Sequence, residues 1–470
     1  GKLMKRYQAL ANELSRRIQD GVLRPGERLP SVRNTCRMRR MSPATVHRAY
    51  RILEDDGKIR VKPRSGYYVS VPVRPPVAQP RVSRPAARPT SVRVRDLMLE
   101  LTTANESGNV SFGSFYPAAE LFPRDMLARA MHASQRKHDP NSVYGHLGHA
   151  ELRRSIARRY LGAGCDLGTE EIIVTTGAME ALNLCLQVVT QVGDLVAIEC
   201  PAFPLALDVL ERLGRKVIQL PTDPVSGISL AALSEALRRH PVKACWLMPI
   251  LQNPLGAIMP EEAKRELVKL LAQHDIPLIE DDAYGELHYG CERPKPAKAF
   301  DRGGRVLHCG TFSKCLAPGY RVGWVAPGRY QRALEQAKFA STISTSVPPQ
   351  AAIVEYLKRG GFEHHLRRLR RAFEENRERM AHAISMHFPP GTRMSTPQGG
   401  YFMWVEMPAV VDTLRLHPLA LEHGISIAPG PMFSPLRRFE SCMRLNYGLL
   451  WSPRQDAELA TLGQMACSFA

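Results

Sequence analysis

Long apolar runs are missing from this sequence. Nowhere do ~18 uninterrupted apolar residues occur, the length that a bilayer-spanning helix needs, and residues 1–30 lack the apolar centre of a secretory signal. No membrane partner is expected, and the expected compartment is the cytoplasm. Paired cysteines are missing as well. The 10 cysteines stand singly with no CxxC, which argues against a disulfide scaffold and a zinc site, so no metal is expected. Acidic residues are absent from 71–95 and scarce before it: residues 1–95 hold 23 Lys+Arg against 6 Asp+Glu, whereas 96–470 hold 41 against 39. Nearly all of the net charge of +19 thus sits in one fifth of the chain, and a segment so one-signed points to a polyanion, nucleic acid above all. What remains, 44% apolar and 23% charged over 470 residues, excludes a disordered or fibrous chain and exceeds one ordinary domain.

Residues 71–95 carry prolines at 72, 75, 76, 80, 85 and 89 among arginines, a composition that favours extended polyproline II and predicts a semi-rigid cationic spacer between folded units. Before it, Tyr7, Leu10, Leu14 and Ile18 recur at helical spacing and stop at Gly21. Ser31 is placed to cap a short second helix, and Ser42, with Pro43 in the first turn, a third that ends at Gly57. Strands at 58–62 and 67–70 flank the turn Pro63-Arg64-Ser65-Gly66. Three helices and a hairpin read as a winged helix-turn-helix.

The runs GVLRPGERLPSVR, SPATVHRAYRILEDDGKI and RSGYYV resemble the GntR-type DNA-binding domain over residues 5–70. The resemblance implies that the helix beginning at Ser42 enters the major groove of double-stranded DNA, and that Arg33, Ser42, Ala44, Thr45, His47 and Gly66 are contact positions. Arg33, Arg48 and Arg64 are expected on phosphates. Pro43 and His47 stand where relatives often carry arginine, which leaves the operator sequence open.

Beyond the spacer, apolar β-rich runs at 172–176, 195–199, 244–249, 277–281 and 305–310 alternate with longer helical stretches, the pattern of an α/β body with a mostly parallel sheet. Ligands of such sheets bind at the carboxyl ends of strands. In Gly310-Thr311-Phe312-Ser313-Lys314 the lysine follows a strand, with Thr311, Ser313 and Arg321 near enough to hold a phosphate while its amine forms a Schiff base with an aldehyde. Pyridoxal 5'-phosphate carries both groups. Asp281 ends another strand, where a carboxylate can pair with a pyridinium nitrogen, and Tyr284 and Asn253 can donate to a ring oxygen. The turn at 176–180 opens a helix whose free N–H groups at Ala178 and Met179 can cradle phosphate, and Phe203 can stack on a ring.

In chain order GAMEAL, PAFP, QNPLG, EDDAY, TFSKCLAPGYRVGW and MRLNYG resemble the fold-type I, pyridoxal-phosphate-dependent aminotransferases over residues 109–470. That resemblance implies Lys314 as the Schiff-base lysine, Asp281 on the ring nitrogen, Tyr284 and Asn253 on the ring oxygen, Phe203 over the ring, and Arg444 on a carboxylate. It also implies a homodimer, with Tyr144 reaching the phosphate of the neighbouring subunit. Two positions depart from the pattern: Phe115 stands where relatives commonly have glycine, and Leu255 where they have threonine or serine.

The expected division is a DNA-binding domain at 1–70, a linker at 71–108 and an aminotransferase-like domain at 109–470. Within the last, a large subdomain covers 145–340 and a smaller α+β subdomain 109–144 and 341–470. The whole arrangement resembles the MocR subfamily of bacterial transcription regulators, which implies an aldimine at Lys314 that senses the cofactor itself or an amino compound. An active aminotransferase with an accessory DNA-binding arm is the alternative.

Overall fold

Two serines decide where the helices of the basic segment begin. In the computed structural model of the chain, which describes residues 5–71, 77–106, 112–139 and 141–469, α1 (Arg6–Gln19) is followed by α2 (Val32–Arg39) and α3 (Pro43–Asp55). Ser31 Oγ accepts the Asn34 N–H at 3.1 Å and Ser42 Oγ the Thr45 N–H at 3.2 Å, each satisfying a donor that the first helical turn leaves free. Leu10 and Leu14 of α1 meet Val46, Ala49, Tyr50 and Leu53 of α3 in a small core. The hairpin β1 (Ile59–Lys62) and β2 (Gly66–Val69) closes it, with Ile59 opposite Val69 and Lys62 opposite Gly66. Residues 27–29 also join this hairpin, a pairing that no local pattern signals. They do so through Leu29 N–H to Tyr67 O and Val69 N–H to Glu27 O, both at 2.8 Å.

The chain clusters as two compact units, Gly1–Val77 with Glu375–Met386, and Ala78–Glu374 with His387–Ala470. In the second unit come β3 (Thr90–Ser91), α4 (Arg95–Glu106), α5 (Arg124–Lys137), α6 (Ala150–Gly162), β4 (Ile173–Thr176) and α7 (Gly177–Val189). There follow β5 (Leu195–Cys200), α8 (Pro204–Arg212), β6 (Lys216–Asp223), β7 (Gly227–Ile228), α9 (Leu230–Arg239), β8 (Val242–Leu247), α10 (Glu261–Gln273) and β9 (Leu278–Asp281). Then come β10 (Val306–Thr311), β11 (Val322–Ala326), α11 (Gln331–Thr342), α12 (Val347–Lys358) and the long α13 (Phe362–His387), of which Glu375–Met386 cluster with the first unit. The main sheet runs β3-β6-β5-β8-β9-β10-β11-β4, with β7 hairpinned onto β6. From β6 to β10 neighbours are parallel, while β3, β11 and β7 pair antiparallel. A second, antiparallel sheet holds β12 (Arg393–Met394), β13 (Phe402–Glu406), β15 (Cys442–Asn446) and β14 (Ala428–Pro429) in that order, beside α14 (Thr413–Glu422) and α15 (Pro453–Cys467).

The near-continuous apolar runs have a direct cause: both faces of the main sheet are covered. Val196, Ile198, Trp246, Ile279 and Leu307 point into one core, and Leu195, Ala197, Cys245, Leu278 and Val306 into the other, alternating residue by residue.

The spacer expected at 71–108 needs correction from residue 78 onward, residues 72–76 lying outside the described residues. Ser83 Oγ donates to Cys200 O at 2.7 Å, β3 pairs with β6, and Val92, Val94, Leu97, Met98 and Leu101 enter the core beside α8. Proline-rich composition reports backbone stiffness, not whether a sheet edge lies within reach. Nor does it flag the five apolar residues that follow.

Strand β11 passes so close to the start of α7 that Gly323 admits no side chain. A Cβ there would lie 2.6 Å from Gly177 C and 2.7 Å from Ala178 N, both backbone atoms. Gly323→Ala is therefore expected to destabilise the fold by about 1–3 kcal/mol, read as a lowered denaturation midpoint with the m-value unchanged.

Candidate cofactor and DNA sites

Parallel strands end on one edge, so residues just past their carboxyl ends converge from distant parts of the chain. Asp281 closes β9, Lys314 lies three residues beyond β10, Phe203 follows β5, and Ala178 and Met179 open α7 after β4. Together with Tyr284, Thr311, Ser313 and Arg321 they line one cavity. Gly177 takes φ +71, turning β4 sharply into α7, and a Cβ there would collide with the Arg321 guanidinium. The glycine therefore lets a cation approach the amino end of the helix, whose own N–H groups already favour an anion. Arg321 Nη1 donates to Ser313 Oγ at 3.0 Å. The Thr311 hydroxyl is engaged by the backbone: it accepts the Ser313 N–H at 3.0 Å and donates to Val322 O at 3.2 Å, which fixes the loop carrying Lys314.

Lys314 is buried. Its Nζ lies 4.2 Å from the centre of the Tyr116 ring and 5.8 Å from that of Tyr284. Burial, helped by the positive charge of Arg444, pushes its amine down to about 7 against the pull of Asp281. A neutral, nucleophilic amine is thus available near neutral pH. Burial, with the adjacent Asp282 carboxylate, pushes Asp281 up to about 7, opposed by Lys314 and His308, and its Oδ1 is buried without a partner.

Three expected residues do not reach the cavity surface. Asn253 is buried one layer down, where its Oδ1 accepts from Arg444 Nη1 at 3.0 Å and its Nδ2 donates to Tyr284 Oη at 3.4 Å. Arg444, on β15, is wholly buried, and burial lowers its guanidinium to about 10. The Tyr144 ring lies 4.5 Å from that of His149 and tilted against it, with the tyrosine hydroxyl buried and without a partner. Two features lie beyond what the motifs indicate. Tyr116 covers the lysine, although the departure from pattern in its loop points only to Phe115. Behind Asp281 lies a buried ionic network: His308 Nδ1 meets Glu280 Oε1 at 2.6 Å, its Nε2 meets Tyr160 Oη at 2.7 Å and Asp282 Oδ2 at 3.3 Å, and Arg293 binds Asp282 at 2.8 Å. The run Glu280-Asp281-Asp282 holds the signal. Strand alternation sends the outer two carboxylates to the face opposite Asp281, where buried charges need partners.

In the winged unit the expected DNA-contact residues are assembled on α2, α3 and the hairpin turn. Arg33, Ser42, Ala44, His47, Arg48 and Arg64 are exposed, and Thr45 and Gly66 are half-buried. Gly66 has φ +122, and Arg64 at the tip of the turn has φ +61. Arg48 stacks over the Tyr7 ring at 4.4 Å, so its planar head is held against α1 rather than freely extended.

Burial opposes the charge on His308, but the carboxylates of Glu280 and Asp282 outweigh it and raise the imidazole to about 9. A raised histidine stabilises the fold fully below its unfolded value near 6.5, and that contribution disappears as pH climbs through 9. Between pH 6 and pH 10 the stability difference between wild type and His308→Gln is expected to shrink by roughly 3 kcal/mol in denaturant titrations of the cofactor-free protein.

Residues 6–69 match the family described as bacterial regulatory proteins, gntR family, and residues 118–459 match aminotransferase class I and II. The chain is 43% identical over 465 residues to the uncharacterized HTH-type transcriptional regulator YdcR of Escherichia coli (strain K12), covering 98% of this chain and 99% of that one. It is 37% identical over 466 residues to YjiR of the same strain, a protein of the same description, with 98% of each covered. Among solved structures, LysN, the alpha-aminoadipate aminotransferase of Thermus thermophilus complexed with N-(5'-phosphopyridoxyl)-L-leucine, is similar at a TM-score of 0.73 and 30% identity, over 79% of this chain and 94% of that one. With both family matches on one chain and relatives alike from end to end, the chain belongs to the GntR-type bacterial transcription regulators whose body is a class I and II aminotransferase domain, the MocR architecture.

Proposed function

We propose that the chain is a homodimeric, cytoplasmic transcription regulator that binds double-stranded operator DNA through its winged unit and reads pyridoxal 5'-phosphate, alone or with an amino compound, through Lys314. The observation that carries this reading is the Lys314 amine in the same cavity as the unpartnered carboxylate oxygen of Asp281, in a body joined to a DNA-binding unit. The residues present fit the cofactor. Asp281 Oδ1 is a buried acceptor aimed at no protein donor, as a ring N–H requires. Gly177, the amino end of α7, Ser313 and Arg321 form a cradle of donors suited to a phosphate. When bound, the cofactor supplies an aldehyde that condenses with an amine and a protonated ring that withdraws electrons.

The chain's own side chains divide the work. With the cofactor bound, Lys314 Nζ would serve as nucleophile and proton carrier, Asp281 would hold a proton at the ring nitrogen, and Tyr284, oriented by Asn253, would donate to the ring oxygen. Phe203 and Tyr116 line the same cavity and narrow its access to water. The unpartnered hydroxyl of Tyr144 supports the homodimer, since a buried donor left without a partner suits a phosphate in the neighbouring subunit's site. A ligand shifts DNA binding only by as much as it prefers one of two conformations.

In fluorescence anisotropy with labelled operator, saturating pyridoxal 5'-phosphate is expected to change the wild-type affinity at least tenfold. Lys314→Ala is expected to abolish that change, and an unchanged response in the variant would refute covalent sensing. Complete conversion of the cofactor by one amino acid, followed by turnover with a keto acid, would instead favour the aminotransferase reading. On the DNA side, replacing Arg33 and Arg64 together by alanine should weaken binding to all sequences alike. The slope of log K against log salt should fall by about 0.9 for each phosphate that is no longer neutralised.

A further inference from the structure

The fate of Arg444 does not follow from the cavity that Lys314 lines. The guanidinium is wholly buried and enclosed by three aromatic rings, with its Cζ 3.9 Å from the centre of Phe402, 5.1 Å from Phe115 and 5.2 Å from Phe433. One of its nitrogens donates to Asn253, while Nε and Nη2 have no partner. Those two form the side of the guanidinium that receives a planar pair of oxygens. A site for a carboxylate is therefore built and then covered. Neither Arg444 nor any of the three rings lines the cavity around Lys314.

The three walls differ in freedom. Phe402, on β13, and Phe433, in the turn after β14, are 6% and 0% exposed and locked in the core. Phe115 is half-buried on the loop 113–117. The backbone of that loop is pinned: Tyr401 Oη donates to Phe115 O at 2.7 Å, and Asn446 Nδ2 donates to Ser114 O at 3.1 Å and Tyr116 O at 2.8 Å. Uncovering Arg444 is therefore a rotation of one side chain on a fixed backbone. The next residue, Tyr116, covers the amine of Lys314. Neighbouring residues thus shield the two groups that a bifunctional ligand would engage, one for its amine and one for its acid.

We propose that Phe115 is a specificity-determining residue that shields Arg444, so that an amine lacking a carboxylate on the amine-bearing carbon engages Lys314 without displacing it and an α-amino acid does not. This rests on the proposed role of Lys314 and names the ligand class of that same site.

The test uses full-length protein loaded with pyridoxal 5'-phosphate and two probes that differ only in the acid group, ethylamine and L-alanine, followed by the change in cofactor absorbance. Phe115→Gly is expected to lower half-saturation by L-alanine at least tenfold while ethylamine moves less than twofold. Phe115→Leu, which keeps an apolar side chain should glycine fail to fold, is expected to shift the same ratio about threefold. A ratio unchanged in both variants, or L-alanine weakened, overturns the proposal. A second readout needs no cofactor: the rise in thermal midpoint with sodium propionate should be larger in either variant than in wild type, and equal rises overturn the cover. If wild type takes up no cofactor, the reading of Lys314 fails while the propionate comparison still judges Phe115.

Discussion

Holding one ammonium group out of water is the constraint on which the body of this protein turns. Lys314 sits behind Tyr116 and Tyr284, where solvation of its charge is reduced, and Asp281 offers partial compensation. The result is an amine and a carboxylate both shifted to about 7, so that each can change charge near neutral pH. Neither could be kept so without a stiff frame. Lys314 is fixed by the Thr311 hydrogen bonds, and Asp281 by a strand with buried neighbours on both sides.

The frame has its own electrostatic cost. Glu280 and Asp282 flank Asp281 in sequence, and their charges would drive its proton affinity still higher if they were bare. His308 and Arg293, with Glu286 and Arg159 behind them, neutralise those charges on the far face of the sheet. Desolvation offsets much of the attraction in a network of this kind, but breaking it is costly because it leaves a buried charge unpaired. Its effect is to let one carboxylate face the cavity while two others are tied down behind it.

In the proposed reading, joining such a cavity to a winged helix-turn-helix lets its chemistry bias DNA binding. A site that closes around a ligand has two conformations, and any unit that prefers one of them is biased by the ligand. The covered guanidinium of Arg444 adds selectivity. A ligand that must move Phe115 before it can make its ion pair is distinguished from one that need not, even though both present the same amine to Lys314.

Much of this was legible in the sequence. Ser31 and Ser42 start helices because a side-chain oxygen beside a free N–H is a local matter. Alternating apolar runs give strands because side-chain direction has period two, and the residues past those strands meet because parallel strands end on one edge. Charge partition marked the DNA-binding unit for the same reason: composition is local. What only the tertiary structure decided is which groups face each other across the fold: that residues 90–106 join the body, that His308 and Arg293 guard the back of Asp281, and that Phe115 lies over Arg444, 329 positions away. Such pairings depend on where the chain returns after long excursions. Distance and burial in three dimensions, not the order of residues, set the strength of the forces between them.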